Sequence, residues 1–246
     1  MKKMLIYTTA VNTVGRAVND TDIFDVTRQS WEHYCSRYGI DFYVIDEPLL
    51  ENTSPHWFRY CIFDLKPGYD KYMYIDTDIM TKWDAPNIFD NCDDEHIHVV
   101  HDNSGLRWIW GGIKGYQPMF PDIKLEWNTY FNSGVLVFSK HHEQVIRDFK
   151  QFYVNNQHII EEYRNKLKGF DQTDQTIFNY FLIWHGQTIK MLSGKWNFFH
   201  MIRREVLYNK YFLDMGYFWH FNDMDRKTQV NSIQQIWNQI KEKYEN

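Results

Sequence analysis

The spacing of apolar residues switches repeatedly along the chain, and each change predicts an element. Residues 4–8 are a short apolar run, the pattern of a buried strand, and a polar turn through Asn12, Gly15 and Asn19 follows. Asp20 or Thr21 then caps a helix whose Phe24, Trp31, Tyr34 and Tyr38 keep helical spacing, with Gly39 as its stop. Residues 40–45 read as a second strand, which completes a strand-helix-strand unit and points to a parallel α/β sheet. A helix over 57–65 is broken by Pro67-Gly68, and the apolar strand 72–75 runs straight into Asp76-Thr77-Asp78. Strands at 96–101 and 134–138 are separated by a long segment that reads as a loop, with Gly111-Gly112 as a turn; loops of that length usually carry function. Helices follow at 142–167 and 174–184, the latter stopped near Gly186, with late strands at 189–192 and 218–221. Asn231 or Ser232 caps a last helix whose Ile233, Ile236, Trp237, Ile240 and Tyr244 form one stripe against the core. With no repeat, Pro-rich linker or charge block, a single domain is expected over 1–246.

Composition narrows the function classes. Lys and Arg total 27 against 32 for Asp and Glu, a net charge of -5 with both signs scattered, so the basic footprint of a nucleic-acid partner is missing. Aromatic residues make up 18%, beside only 12 Gly and 6 Pro, which excludes a disordered chain. Cys35, Cys61 and Cys92 have neither disulfide-framework nor zinc-ligand spacing, and a reducing, cytoplasmic type of compartment fits them best. The apolar run after Lys2-Lys3 is far short of a signal segment, and no stretch approaches the ~20 apolar residues of a membrane span, so the chain reads as soluble. Most rings fall at core spacing. Trp108, Trp110, Tyr116, Phe120 and Trp127 remain as candidates to stack on a sugar.

Asp76 and Asp78 follow an apolar strand at i, i+2, a spacing that points both carboxylates the same way. Held together, they repel unless a cation intervenes, and Mg²⁺ or Mn²⁺ suits hard oxygen ligands that leave room for substrate phosphates. In open α/β sheets, ligands collect at the carboxyl ends of strands, where this motif should lie. Further polar motifs follow in order: Phe131-Asn132-Ser133-Gly134-Val135, Asp174-Gln175, Lys195-Trp196-Asn197 and Trp219-His220-Phe221.

That series resembles glycosyltransferases of the GT-A fold, the nucleotide-diphospho-sugar transferase fold, particularly the retaining family 8-like galactosyl- and glucosyltransferase group. The resemblance spans roughly residues 4–227 and implies an α/β fold with a mostly parallel central sheet flanked by helices. It further implies a nucleotide-binding part over about 1–100, an acceptor and catalytic part over about 101–230, and a C-terminal helix over 231–245. Asp76, Asp78 and His220 would ligate the divalent ion, and the imidazole nitrogen tilts the site toward Mn²⁺ over Mg²⁺. Arg59, Thr8, Arg226 and Thr77 would bind the nucleotide-sugar donor, a UDP-sugar for preference. Asn132, Asp174 and Gln175 would hold the donor sugar or the reacting face, and a saccharide or glycoconjugate hydroxyl would be the acceptor. Asp174 also reads as a helix N-cap.

The chain departs from the family pattern after His220, where Asp223 and Arg226 stand at positions that are commonly Gly and Lys. Arg226 can still grip phosphate, bidentately, whereas Asp223 puts the loop geometry in question. The first-strand segment also lacks the acidic residue often used to read uracil. His141-His142 reads as a polar helix start, since adjacent helical residues diverge, and His96, His98 and His101 are not expected to form a second metal site. Two other classes stay open. A carbohydrate-binding module would account for the aromatics but leaves Arg59, the aspartates and His220 without a purpose. A sugar-nucleotide pyrophosphorylase should open with a Gly-rich phosphate loop, and residues 8–16 hold one Gly.

Overall fold

A computed structural model describes residues 2–11, 21–51, 53–167 and 174–245. The turn expected through Asn12, Gly15 and Asn19, and the Asp20 cap, lie outside the described residues. In chain order the elements are β1 (Met4–Thr9), α1 (Thr21–Tyr38), β2 (Asp41–Ile45), β3 (Lys71–Ile75) after the short α2 (Ile62–Leu65), β4 (Ile79–Thr81) and β5 (Ile97–His101). Then come α3 (Leu106–Tyr116), β6 (Phe131–Ser139), α4 (Glu143–Lys166), α5 (Gln175–Trp184), β7 (Ile189–Leu192), α6 (Arg204–Tyr208), α7 (Phe212–Met215), β8 (Phe218–His220) and α8 (Arg226–Ile240).

Six strands form one sheet in the order β2-β1-β3-β6-β5-β7. It is parallel across β2-β1-β3 and between β5 and β7, while β6 runs antiparallel to both its neighbours. Period-2 alternation sends Leu5, Tyr7, Tyr72 and Tyr74 to one face, where Phe149 and Tyr153 of α4 and Phe178 of α5 cover them. Ile6, Met73 and Ile75 go to the other face, against Trp31 and Tyr34 of α1. Both faces of the sheet are therefore buried under helices, as parallel strands require. β4 and β8 pair antiparallel beside this sheet, and Met80, Trp219 and Phe221 share a third cluster with Ile233, Ile236 and Ile240 of α8.

Strand direction alone gathers the motifs. Because β6 opposes β3, the carboxyl end of β3 meets the start of β6: Ile75 pairs with Val135, and the Asp76 N–H donates to the Gly134 carbonyl at 2.9 Å. Asp102 follows β5 at the same edge, where its N–H donates to the Tyr130 carbonyl at 3.0 Å. Between Val99 and Val100 the partner on β6 jumps from Leu136 to Asn132, so residues 133–135 bulge out of that ladder. Pairing of Ile79 with His220 then brings β8 alongside Asp78.

Several expectations are corrected. The 102–130 segment is not a bare loop: it carries α3, and Gly111 and Gly112 sit inside that helix. Tyr116 and Phe120 are buried in the core, Trp110 and Trp127 are exposed, and only Trp108 lines a cavity of the site. The last helix starts five residues before Asn231, at Arg226, because the Asp225 carboxylate caps it by accepting from the Thr228 N–H at 3.1 Å. Its first turn is polar outward, so apolar periodicity begins only further on. The 57–65 helix is a 3-10 turn over Pro55–Cys61 running into α2. His142 does open a helix, closing a capping box with Ser139. The three cysteines are buried and free. Among the described residues, no helix is long and apolar enough to cross a membrane.

Candidate active site

Two adjoining cavities open at the carboxyl edge of the sheet, and His56, Asp76, Asn132 and Asn222 line both. The first, about 290 Å³, is lined by Thr9, Thr77, Asp78, His220, Arg226 and Gln229 among others. The second, about 220 Å³, is lined by Arg59, Asp102, Trp108, Asp174, Gln175 and Asp223. A divided cleft of this kind suits a ligand with two chemically distinct parts.

Asp76, Asp78 and His220 each offer one ligand atom, all within 4.8 Å of one another, and they are the one such cluster among the described residues. His220 Nε2 lies 3.2 Å from Asp78 Oδ1 and 3.9 Å from Asp76 Oδ2. A cation about 2.1 Å from each ligand would set neighbouring ligands about 3 Å apart, which the 3.2 Å pair meets and the 3.9 Å pair would reach by a small inward shift of Asp76. A second observation agrees. A Cβ on Gly134 would come within 2.7 Å of Asp76 Oδ2 and 2.8 Å of both Asn132 Oδ1 and His220 Cε1. Only glycine at this point of β6 keeps the cradle open.

The neighbours hold each ligand in place. Tyr74 Oη donates to Asp76 Oδ1 at 2.8 Å, and Arg59 Nη2 reaches the same oxygen at 3.2 Å. Burial alone would raise the Asp76 carboxyl, but Arg59, aided by His220 and His56, holds it below its ordinary range. For His220 burial works to lower the pKa, and the carboxylates, Asp78 first, more than offset it, so the value is raised. Asp78 is steadied from α8. Gln229 Nε2 donates to Asp78 Oδ2 at 2.9 Å and to the Phe221 carbonyl at 2.8 Å, while Gln229 Oε1 accepts from Arg226 at 3.2 Å.

Arg59 is 1% exposed and stacks 4.0 Å over the Tyr74 ring. Its Nε donates to the His56 carbonyl at 2.9 Å and its Nη1 to the Ser133 carbonyl at 2.6 Å, and Nε lies 3.6 Å from Asp174 Oδ2. The Asp174 carboxylate, also 1% exposed, accepts from the Tyr60 hydroxyl at 2.6 Å. Arg59 lines the second cavity, and through its bonds to the His56 and Ser133 carbonyls and to Asp76 it also braces the two carboxylates that flank it. Asp174 stands at the head of α5, but its side chain makes no capping bond. Tyr60 and Arg59 are among its partners.

Thr8 shares the strand parity of Ile6, is fully buried and lines neither cavity, while Thr9 lines the first; neither Oγ1 has a hydrogen-bond partner among the described residues. Thr77 and Arg226 line the first cavity. Asp223 has φ of 57°, the left-handed region that glycine enters freely and Asp tolerates better than most residues. The loop thus keeps a conformation suited to glycine while adding a carboxylate to the second cavity. Burial and the charge of Asp102 push the Asp223 carboxyl up. Among the remaining histidines, His96 pairs with Asp93 at 2.9 Å and His98 is buried beside it.

The sequence reading missed Thr9, His56, Tyr60, Tyr74, Asp102, Asn222 and Gln229. Asp102 carried a readable signal, since it ends β5 at the edge where Asp76 ends β3. Tyr60 and Gln229 are set by tertiary packing and carried none.

Replacing Gly134 with alanine should weaken Mn²⁺ binding at least about tenfold and cost ~1–3 kcal/mol of stability, because the three crowded side chains are pinned and cannot yield. A Mn²⁺ titration followed by electron paramagnetic resonance, beside urea unfolding, checks this. Wild-type affinity in the variant would contradict the cradle.

The fold is similar to those of several solved glycosyltransferases. One, involved in glycosylation of the major capsid of PBCV-1, is 14% identical with a TM-score of 0.61, over 95% of this chain and 99% of that one. The galactosyltransferase LgtC, solved with donor and acceptor sugar analogs, is 16% identical with a TM-score of 0.57, over 96% and 99%. The glycosyltransferase GlyE of Streptococcus pneumoniae TIGR4 is 13% identical with a TM-score of 0.55, over 99% of this chain and 64% of that one. At these identities the likeness speaks for the GT-A fold. No curated protein matches the sequence. Glycosyl transferase family 8 matches residues 19–238, nearly the whole chain, and on that match the chain belongs to glycosyl transferase family 8 and is a glycosyltransferase.

Proposed function

We propose that the protein transfers a hexose from a UDP-sugar to a hydroxyl of a saccharide or glycoconjugate, with retention at the anomeric carbon, and that Mn²⁺ is its ion. The observation that carries this reading is the convergence of Asp76, Asp78 and His220 at the junction of the two cavities. The first cavity would take the nucleotide, with Thr9 and Thr77 toward it and Arg226 on the diphosphate. Arg226 sits in the first turn of α8, whose N-terminal dipole adds to its charge. The second cavity would take the donor sugar and the acceptor, with Trp108 offering a flat apolar face.

When bound, the divalent ion would act as a Lewis acid that neutralises charge on the departing diphosphate. The protein adds fixed donors to the same charge, each worth ~3–4 kcal/mol by analogy with oxyanion-hole deletions. Gln175 would lie against the reacting face. Its Oε1 accepts from Asn132 Nδ2 at 2.9 Å and the Ser133 N–H at 3.1 Å, and its Nε2 donates to Asp102 Oδ2 at 2.7 Å and the Tyr130 hydroxyl at 3.1 Å. An amide so engaged is a rigid wall and not a nucleophile. Asp174 is deeply buried, with Oδ2 beside Tyr60 and Arg59, which disfavours it as a covalent nucleophile. Front-face transfer follows: the acceptor oxygen bonds to the anomeric carbon on the side the diphosphate leaves, and the acceptor proton passes to the leaving phosphate oxygen.

Nucleotide release measured across UDP- and GDP-sugars with Mn²⁺ tests the donor, with saccharides as acceptors. UDP-hexoses should turn over, EDTA should abolish release, and an α-donor should yield an α-linked product by NMR of its anomeric proton. A β-linked product, or preference for GDP-sugars, would overturn the reading.

A further inference from the structure

The metal ligand His220 is tied to the sugar-side Gln175 by an unbroken run of buried amides. His220 Nδ1 meets Asn197 Oδ1 at 2.8 Å, Asn197 Nδ2 donates to Asn132 Oδ1 at 3.0 Å, and Asn132 Nδ2 donates to Gln175 Oε1 at 2.9 Å. Amide orientations are set here by groups that have only one role. The Gly134 N–H can only donate, and it meets Asn132 Oδ1 at 2.8 Å; the Ser133 N–H likewise meets Gln175 Oε1 at 3.1 Å. Asn132 must then present oxygen to Asn197, which must answer with its NH₂. That leaves the Asn197 oxygen facing His220, so Nδ1 of a neutral ring carries the proton and the lone pair is on Nε2, the atom facing Asp76 and Asp78.

The backbone holds Asn197 to this task. Phe198 bridges Trp219 in parallel, its N–H donating to the Phe218 carbonyl at 2.8 Å and its carbonyl accepting from the His220 N–H at 3.0 Å. Trp196 on the other side is buried against the rings of Tyr217 and Phe218, with centroids at 4.8 and 5.1 Å. Asn197 is itself fully buried and lines neither cavity, so its side chain serves the network and not the substrate.

We propose that Asn197 is a positioning residue of the metal site: it relays an orientation set by two backbone N–H groups of β6 to His220 and fixes the tautomer that turns Nε2 toward the ion. A metal-bound histidine needs its second nitrogen held in this way, and loss of such a partner typically weakens metal binding 10- to 100-fold. The inference rests on the metal role proposed for Asp76, Asp78 and His220, and two measurements separate the two. Long-range ¹H–¹⁵N correlation on the metal-free wild type, at a pH where the ring is neutral, should report His220 protonated at Nδ1. An Nε2–H ring would overturn the relay whatever the metal does. Mn²⁺ titration by electron paramagnetic resonance, without nucleotide, should give an Asn197→Leu dissociation constant about 10- to 100-fold above wild type. A folded Asn197→Leu that binds Mn²⁺ within threefold of wild type would overturn it too. A wild type that binds no Mn²⁺ would instead strike the metal role itself.

Discussion

Replacing Arg59 with methionine should destabilise the protein by ~3–5 kcal/mol, the range for removing one partner from a buried ion pair. Methionine keeps much of the volume, so the loss is electrostatic. The Asp174 carboxylate, 1% exposed, would lose the guanidinium beside it while keeping Tyr60, and Asp76 would lose its nearest cation. The Ser133 carbonyl would lose its donor, and Tyr74 the guanidinium over its ring. The sign with pH follows. Arg59 is the main group holding the Asp76 carboxyl below its ordinary range, so the stability it contributes is present at neutral pH and is lost as pH falls through the folded value. The deficit should therefore be largest near neutrality and narrow toward acid. Urea unfolding at a series of pH values measures this, and a flat deficit of under ~1 kcal/mol would refute the brace.

Asp78→Asn should do the reverse, sparing the fold and removing the chemistry. The carboxylate is partly exposed and touches Gln229 and His220, so an isosteric amide fits. In the metal-free state the change also relieves repulsion from Asp76. With EDTA present, at a pH where His220 is neutral and its attraction to Asp78 is absent, the variant should melt no lower than wild type. Activity at fixed Mn²⁺ should fall about 10²- to 10³-fold, the cost of withdrawing one group that stabilises developing charge, with partial recovery as Mn²⁺ is raised. Asp78 is the better probe because Asp76 also anchors Arg59, so that its replacement would mix folding with catalysis. Nucleotide release against Mn²⁺ concentration, for both proteins, is the measurement. Unchanged activity would remove Asp78 from the site.

Much of this was legible in the sequence because local patterns report local structure. β3 is an uninterrupted apolar run, so its end, and with it Asp76, was found. Gly39 and Gly186 take φ of 61° and 63°, the left-handed values that made them stops for α1 and α5. Direction was not legible. Nothing in residues 131–139 announces a strand antiparallel to its neighbours, yet that reversal brings Asn132 and Gly134 onto the carboxyl edge beside Asp76. β4 is three residues long, too short to show a period, and it exists because β8 pairs with it. α3 hid behind its three glycines, residues poor in helix propensity that tertiary packing of Ile109, Ile113 and Tyr116 overrides.

The candidate site divides in the same way. Asp76, Asp78, Asn132, Gln175 and His220 meet the cleft directly, sit in short motifs and could be named from the chain, whereas Thr9, His56 and Asn222 line it outside any such motif. Those that orient them, Tyr60, Tyr74, Asn197 and Gln229, lie 114, 2, 23 and 151 positions from their partners Asp174, Asp76, His220 and Asp78. Such separations leave no local signature for Tyr60 and Gln229; Asn197 stood in the Lys195-Trp196-Asn197 motif without its role being readable, and that of Tyr74 was masked by its place in an apolar strand. The aromatic excess proved mostly structural. Trp31, Trp57 and Trp219 are fully buried, and stacking on a sugar is left to Trp108.

The account turns on one ion in one place. Crystals soaked in Mn²⁺ and UDP, with data collected at the manganese absorption edge, test it most directly. The anomalous peak should lie about 2.2 Å from an oxygen of Asp76, an oxygen of Asp78 and Nε2 of His220. A peak elsewhere, or none between those three side chains with UDP bound in the cleft, would contradict it.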